Sequence, residues 1–172
     1  MSERTVTLGG NPFSALLGTP VEVGQQAPVA SGRVNAFSTD TFDVINDTEG
    51  KIRVLSFAPS LNTGICDTQT REFNAKLAGN ENVAVVTISV DLPFVQANWC
   101  GAAGLEDAIM VSDYYDMAIA NAYGTYVEAV RLEQRAVVVV DAEGVVRYTE
   151  YCPEIGMHID YDAAVSAVQA LL

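Results

Sequence analysis

One strand–loop–helix segment, residues 52–77, sets the narrowest limits on how this chain can fold. The run 52–58 is almost entirely apolar and is typical of a buried strand, whereas 67–77 has the spacing of an amphipathic helix. The next apolar run, 83–90, is β-branched nearly throughout, which indicates a central strand buried on both faces. A buried strand, a helix and a second buried strand in this order predict the core of an α/β sheet.

The remaining segments extend this core into a sheet that is part parallel and part antiparallel. Further helices are predicted over 91–100, 115–123 and 160–172, and further strands over 108–112, 135–140 and 145–150. Asp91 is expected to cap the first of these helices, and Gly101 and Gly104 to interrupt it. The turn residues 141–144 predict a hairpin between the last two strands.

The N-terminal part of the chain carries shorter signals. Two alternating runs, 5–8 and 21–23, are separated by glycines and prolines and predict an N-terminal hairpin. Segment 28–38 is expected to be irregular with a short strand, and 42–45 to be a short strand or part of a loop. The whole pattern predicts one α/β domain over 1–172. Its thioredoxin-like mixed sheet is flanked by helices, and residues 1–25 form an N-terminal β-hairpin extension.

Charge and composition narrow the classes of partner. The net charge of −13 argues against nucleic acid and anionic membranes, because both require a basic surface. No apolar run approaches the roughly 20 residues of a membrane-spanning helix, and residues 1–5 contain no apolar signal core. Three cysteines are too few for the disulfide framework of a secreted protein. We therefore expect a cytoplasmic protein without a nucleic-acid or membrane partner.

Cys66 is the first candidate for chemistry. It ends the loop Pro59-Ser60-Leu61-Asn62-Thr63-Gly64-Ile65-Cys66 and is expected in the first turn of a helix, just beyond a strand end. The free N–H groups and positive dipole end of a helix stabilise a thiolate, which is the reactive form of cysteine. Thr63 could hydrogen-bond the sulfur or orient an oxygen substrate, and Pro59 could shield the sulfur from water. Position alone leaves open that Cys66 is a buried apolar filler.

The other cysteines and the single histidine give weaker signals. Cys100 lies near the end of the predicted helix 91–100. It could approach Cys66 if the helix ends unwind, or it could pack beside Trp99 as a core residue. Cys152 is expected in a loop as an incidental thiol, and His158 as a surface residue. Without a Cys-x-x-Cys pair, a P-loop or a Gly-x-Gly-x-x-Gly motif, we expect neither a metal nor a cofactor.

Four stretches resemble the peroxiredoxins, and in particular their thiol peroxidase branch of atypical two-cysteine type. The loop 59–66 fits the motif Pro-x-x-x-Thr-x-x-Cys, and 90–102 is similar to the resolving-cysteine helix of that branch. Segment 132–141 is similar to its strand bearing the active-site arginine, and 6–12 to its N-terminal hairpin. The similarity spans nearly the whole chain, with the motifs in the expected order and at the expected separations.

The resemblance implies a role for five residues. It implies that Cys66 is the peroxidatic cysteine and that Cys100 is the resolving cysteine of the same chain. Thr63 and Arg135 would complete the active site, which Pro59 would shield.

Three positions bear on how far these roles carry over. Asn62 stands where the family usually has Asp, so this loop lacks the negative charge that the family carries there, and Ala58 stands where an aromatic residue is usual. Arg131 lies close to Arg135 in sequence, but only Arg135 matches the family position and opens the apolar strand.

The implied function is a thiol-dependent peroxidase for hydrogen peroxide and alkyl hydroperoxides. It would act through a cysteine sulfenic acid and an intramolecular disulfide, and a thioredoxin-like reductant would restore both thiols. The resemblance also implies a homodimer. The alternative is a peroxide-sensing redox switch or holdase on the same scaffold with little turnover. A third interpretation, an inert thioredoxin-like domain, predicts no fast reaction of Cys66 or Cys100 with peroxide.

Overall fold

A computed structural model describes residues 3–172, and Met1 and Ser2 of the predicted extension lie outside the described residues. The strands are β1 Thr5–Leu8, β2 Asn11–Leu17, β3 Ser31–Arg33, β4 Thr41–Asp43, β5 Ile52–Phe57, β6 Val83–Ser89, β7 Ile109–Ser112, β8 Tyr126–Val127, β9 Leu132–Glu133, β10 Ala136–Val140 and β11 Val146–Tyr151. The α-helices are α1 Gly64–Leu77, α2 Pro93–Ala103, α3 Ala118–Tyr123 and α4 Tyr161–Gln169. This order of strands and helices confirms the predicted α/β class.

Seven of the described strands form one mixed sheet in the order β11-β10-β5-β6-β7-β3-β4. Strands β5, β6 and β7 run parallel, while β10, β11, β3 and β4 pair antiparallel with their neighbours. The apolar run at 83–90 contains the central strand β6, and the run at 52–58 contains its buried neighbour β5, as predicted. A parallel sheet needs helical crossovers, which α1 and α2 supply.

The helices cover both faces of this sheet. On one face α1 and α4 pack Phe73, Leu77 and Val168 against strand residues such as Val54 and Val137. On the other face α3 packs Ile119 and Tyr123 against a second set of strand side chains. Strands buried on both faces carry apolar residues at nearly every position, which explains why β5, β6 and β10 lack alternation.

The N-terminal hairpin exists, but its second strand was predicted in the wrong place. β1 pairs with β2, and a two-residue Gly9-Gly10 turn joins them, whereas 21–23 is not a strand. Both glycines have positive φ angles, 60° and 80°, which is the requirement of the tight turns that favour glycine in hairpins. The hairpin belongs to a separate four-stranded sheet with β8 and β9, two short strands that the sequence did not predict.

Helix α2 differs from its prediction at both ends. It begins at Pro93 with Leu92 as the capping position, so Asp91 is not its cap. It also continues through Gly101 to Ala103 and ends at Gly104, whose left-handed backbone (φ 68°) closes the helix. Cys100 lies in the last turn of this longer helix, near its end as predicted. Among residues 3–172, no helix has both the length and the apolar character to cross a membrane.

Two acidic side chains are buried together behind the second sheet. Glu133 is fully buried and accepts a hydrogen bond from the Thr125 hydroxyl. Asp113 accepts the backbone N–H groups of Ile119 at 3.1 Å and Ala120 at 2.8 Å, which begin α3. Burial, and next the nearby Asp113 carboxylate, raise the pKa of Glu133 well above its usual range. The Glu133 carboxyl therefore keeps its proton to a higher pH than an exposed glutamate does.

This burial predicts a stability cost that grows with pH. A carboxyl with a raised pKa in the folded state stabilises the fold below its unfolded pKa of about 4.3, and that stabilisation is lost as pH rises toward the folded pKa. Glu133→Gln removes the titrating carboxyl. The melting temperature of the variant minus that of the unmutated protein should therefore rise by about 2–4 °C between about pH 5 and pH 8. Thermal unfolding at several pH values measures this, with exposed Glu128→Gln as control. A difference in melting temperature that stays constant with pH would contradict the raised pKa of Glu133.

Candidate active site

Cys66 lies where its sequence position predicted, in the first turn of α1. The loop after β5 ends at Thr63, whose extended backbone (φ −101°, ψ 147°) precedes the first helical residue, Gly64. Cys66 is the third residue of the helix and its side chain is fully buried. The sulfur is thus close to the unpaired N–H groups of the helix start, which favour an anion.

Arg135 directly contacts the Cys66 sulfur. Its Nη2 donates to Cys66 Sγ at 3.4 Å, and the side chain is only 3% exposed. The residue precedes β10, and Ala136 pairs with Phe57 at the end of β5, so the sheet register brings Arg135 to the start of α1. Among the described residues, Arg135 Nε has no hydrogen-bond partner. A buried guanidinium next to the sulfur can stabilise a thiolate and also offer a donor to a second acceptor.

Gln69 is a site residue that the sequence prediction missed. Arg135 Nη1 donates to Gln69 Oε1 at 2.8 Å, while Gln69 Nε2 donates to Ser56 Oγ at 2.8 Å and to the Phe57 carbonyl at 3.0 Å. These bonds fix which end of the amide faces the guanidinium. A polar residue three positions after Cys66, on the buried face of α1, was the available signal.

Thr63 and Pro59 flank the site without touching the sulfur through a hydrogen bond. The exposed Thr63 hydroxyl donates to the Ser60 carbonyl at 3.0 Å, rather than bonding Cys66. Its oxygen keeps lone pairs that can accept a hydrogen bond from another molecule. Pro59 is buried two residues after the end of β5.

Asp91 anchors this loop instead of capping α2. Its carboxylate accepts the Ser60 hydroxyl at 2.7 Å, the Leu61 N–H at 2.8 Å and the Ser89 hydroxyl at 2.9 Å. The loop from β5 is thereby held to the end of β6. A carboxylate that receives three donors across two strand ends restricts the path of the chain into α1.

The segment after β11 closes the other side of Arg135. The Ile155 carbonyl accepts from Arg135 Nη2 at 3.4 Å. The neighbouring Glu154 carboxylate accepts the Thr7 hydroxyl at 2.6 Å, the Gly9 N–H at 2.9 Å and the Gly10 N–H at 3.1 Å. The Thr7 hydroxyl and these N–H groups lower the pKa of Glu154. The N-terminal hairpin turn is therefore tied to the backbone that holds the arginine.

Cys100 is separate from this cluster. It is 6% exposed on α2 and borders a cavity of about 390 Å³ whose other walls include Ile109 and Met110 of β7. Burial raises the pKa of the Cys100 thiol. Cys66 and Cys100 are both buried and are not joined by a disulfide in this arrangement.

Cys152 and His158 form no candidate site of their own. Cys152 is 1% exposed, its thiol lies 3.7 Å from the His158 carbonyl, and burial raises its pKa to about 11. Such a thiol is a poor nucleophile near neutral pH. His158 Nδ1 lies 3.0 Å from the Tyr161 hydroxyl. Within 3–172, no group of three or more His, Cys, Asp or Glu side chains could hold a metal ion.

Comparison with known proteins gives concordant matches. The model of the AhpC/TSA family matches residues 23–149. A thiol peroxidase of Halalkalibacterium halodurans is 45% identical over 168 residues, which cover 98% of this chain and 99% of that protein. A thiol peroxidase of Streptococcus pneumoniae is 44% identical over 170 residues, which cover 96% of this chain and 99% of that protein.

A solved structure agrees with these matches. The peroxiredoxin-like protein from Aquifex aeolicus superposes with a TM-score of 0.86 at 33% identity, and the match covers 98% of each chain. The similarity therefore includes the N-terminal hairpin sheet as well as the seven-stranded sheet.

Proposed function

Because this chain belongs to the AhpC/TSA family, and within it to the thiol peroxidases, we propose that it is a thiol-dependent peroxidase for hydrogen peroxide and alkyl hydroperoxides. The observation that carries the proposal is the 3.4 Å contact from Arg135 Nη2 to the sulfur of Cys66 in the first turn of α1. A positive partner and helix N–H groups each stabilise a thiolate, which is the form of cysteine that reacts with a peroxide.

In the first step Cys66 is the nucleophile. Its thiolate attacks the terminal oxygen of the hydroperoxide, a sulfur–oxygen bond forms, and the oxygen–oxygen bond breaks. The alkoxide or hydroxide that departs takes up a proton, and Cys66 becomes a sulfenic acid. Arg135, with an Nε–H that lacks a partner among the described residues, can donate to the oxygen on which charge develops. The exposed Thr63 hydroxyl is proposed to orient the same substrate, and Pro59 to limit the access of water.

In the second step Cys100 resolves the sulfenic acid. Its thiol sulfur attacks Cys66, water departs, and an intramolecular disulfide forms. A thioredoxin-like dithiol then reduces this disulfide and becomes a disulfide itself, which restores both thiols. We further propose that the protein acts as a homodimer in the cytoplasm, where a reducing environment maintains free cysteines.

A coupled assay tests the function. The protein is mixed with thioredoxin, thioredoxin reductase, NADPH and either hydrogen peroxide or an alkyl hydroperoxide, and NADPH absorbance is followed. A peroxidase consumes NADPH steadily until the peroxide is exhausted. A peroxide-sensing switch or holdase, the alternative with little turnover, would give one burst stoichiometric with protein. A complete lack of oxidation would leave only the inert domain.

Cys100→Ser gives a prediction specific to the second step. The variant should still react with one equivalent of peroxide, but its Cys66 sulfenic acid has no partner for the disulfide. Steady-state turnover with the thioredoxin system should therefore fall by about tenfold or more, because thioredoxin must then reduce a sulfenic acid instead of a disulfide. A dimedone adduct on Cys66, detected by mass spectrometry, measures the trapped intermediate. Full turnover in this variant would show that Cys100 is not the resolving cysteine.

A further inference from the structure

Three side chains form a cluster between α1 and α2. Trp99 Nε1 donates to Asp67 Oδ1 at 3.0 Å, and Arg71 Nε donates to the other carboxylate oxygen of Asp67 at 2.9 Å. The Arg71 guanidinium carbon lies 5.2 Å from the centre of the Trp99 ring, within cation–π range. Each of the three therefore contacts the other two, and we call Asp67, Arg71 and Trp99 the interhelical cluster.

The cluster is adjacent in sequence to both cysteines. Asp67 follows Cys66, and Trp99 precedes Cys100. Among residues 3–172, the bond from Trp99 to Asp67 is the one hydrogen bond between α1 and α2. Helix α2 is otherwise tied to the sheet, for example by Gln96 Nε2, which donates to Ser89 Oγ and to the Val111 carbonyl. The cluster is thus the direct polar link between the two helices that carry the thiols.

The two thiols face different parts of the sheet. Cys66 contacts Arg135, which lies at the start of β10, whereas Cys100 borders the cavity at the start of β7. Strands β5 and β6 lie between β10 and β7, so three strand spacings, or about 14 Å, separate those two strands. A disulfide requires Cα atoms within about 7 Å. The Cys66 sulfur is held by Arg135 and makes no contact with Cys100, so in the proposed reaction it leaves the guanidinium before the two sulfurs bond.

Movement of Cys66 cannot leave the cluster intact. Asp67 is in the first turn of α1, where its N–H donates to the Thr63 carbonyl at 2.9 Å. If residues 64–67 unwind to release Cys66, the Asp67 side chain moves away from the Trp99 indole. If α2 moves instead, Trp99 is displaced from Asp67.

We propose that Asp67 and Trp99 are positioning residues that hold the closed arrangement, and that breakage of their hydrogen bond limits how fast the Cys66 sulfenic acid reaches Cys100. This inference rests on the proposed function. The step consumes the sulfenic acid of Cys66 and the thiol of Cys100 and yields a disulfide and water, with no further oxidant. The closed arrangement keeps Cys66 beside Arg135, and the open arrangement permits the disulfide.

Trp99→Phe tests the inference because it removes the indole N–H and keeps an aromatic ring for Arg71. We expect disulfide formation after one equivalent of hydrogen peroxide to be about 3- to 10-fold faster than in the unmutated protein, since a hydrogen bond to a partly exposed carboxylate no longer opposes opening. Rapid acid quench, alkylation of free thiols and mass spectrometry give the rate. Asp67→Asn, which keeps an acceptor oxygen but loses the charge, should show a smaller acceleration.

Two controls separate this role from general destabilisation. Glu72→Gln removes an exposed ion pair within α1, with Lys76 at 3.1 Å, and should leave the disulfide rate unchanged. Formation of the sulfenic acid, measured with Trp99→Phe in a Cys100→Ser background, should change by less than about twofold. Trp99 is the single tryptophan, so its fluorescence in the unmutated protein should change together with disulfide formation and not with the earlier oxidation of Cys66.

The possible results distinguish the inference from the function on which it rests. If Trp99→Phe forms the disulfide at the unmutated rate or more slowly, while the sulfenic acid still forms, the positioning role is wrong and the peroxidase proposal stands. If the unmutated protein forms no sulfenic acid at all, both are wrong. Faster disulfide formation with an unchanged first oxidation supports the inference.

Discussion

Cys66→Ser should reduce hydrogen peroxide at least about a thousand-fold more slowly than the unmutated protein in the coupled thioredoxin assay. Serine has nearly the shape of cysteine, so the buried side chain in the first turn of α1 should fit without a cavity. Its hydroxyl is not ionised at neutral pH, and its oxygen cannot take up the oxygen that sulfur accepts from a peroxide. The loss should appear in the first oxidation step and not only in recycling.

Cys152→Ser is the matched control. Cys152 is also buried, but its thiol is directed to the His158 carbonyl and its pKa is raised to about 11. Its replacement should leave peroxide turnover within about twofold of the unmutated rate. Full turnover in Cys66→Ser, or loss of turnover in Cys152→Ser, would show that Cys66 is not the reactive thiol.

Arg135→Met should lower the second-order rate constant for the reaction with peroxide by about 10²- to 10³-fold. The substitution keeps an unbranched side chain of similar length in a site that is only 3% exposed. It removes the donor at 3.4 Å from the sulfur and the other N–H groups of the guanidinium, including the Nε–H that has no partner among the described residues. Stopped-flow measurement of the first oxidation step isolates this effect from the rate of disulfide formation.

Arg135→Lys and Arg131→Asn complete the comparison. Lysine restores the charge without the planar fork that reaches Gln69 and Cys66 together, so rescue should be partial. Arg131 is exposed and has a positive φ angle of 51°, a conformation that asparagine tolerates. Arg131→Asn should keep the unmutated rate. A rate for Arg135→Met within a few-fold of the unmutated protein would exclude a role for the guanidinium in the reaction.

The sequence was most informative where one local pattern decided the structure. The apolar runs at β5, β6 and β10 are short and rich in β-branched residues, which favours buried strands, and the position of Cys66 in the first turn of α1 followed from the strand that precedes it. The pairing of β10 with β5 then brings Arg135 to the same end of the sheet. These features depend on hydrophobic burial and on chain order, both of which a sequence displays directly.

The sequence was least informative where the local propensity of a residue is compatible with two different structural roles. Asp91 has the chemistry of a helix cap, yet its carboxylate holds Ser60 and Leu61 from a loop 30 residues away in sequence. Gly101 normally weakens a helix, but α2 continues through it. Tertiary contacts decided both cases, and local propensity cannot anticipate them.

Parts of the site are formed by backbone groups, whose role cannot be recognised from residue type. The Ile155 contact with Arg135 uses a backbone carbonyl, which every residue possesses. The Glu154 contacts depend on the Gly9-Gly10 turn between β1 and β2, and the alternating pattern of the sequence predicts the second strand of the hairpin at 21–23 instead. Gln69 was detectable in principle, as a polar side chain on the buried face of α1.

The pairing of Cys66 with Cys100 can be measured directly by intact mass and peptide mapping after one equivalent of hydrogen peroxide. The mass should fall by about 2 Da, for two hydrogens lost, and digestion without reductant should link the peptides that contain Cys66 and Cys100. Cys152 should remain a free thiol that alkylates only after unfolding. An unchanged mass, or a disulfide that includes Cys152, would contradict the proposed reaction.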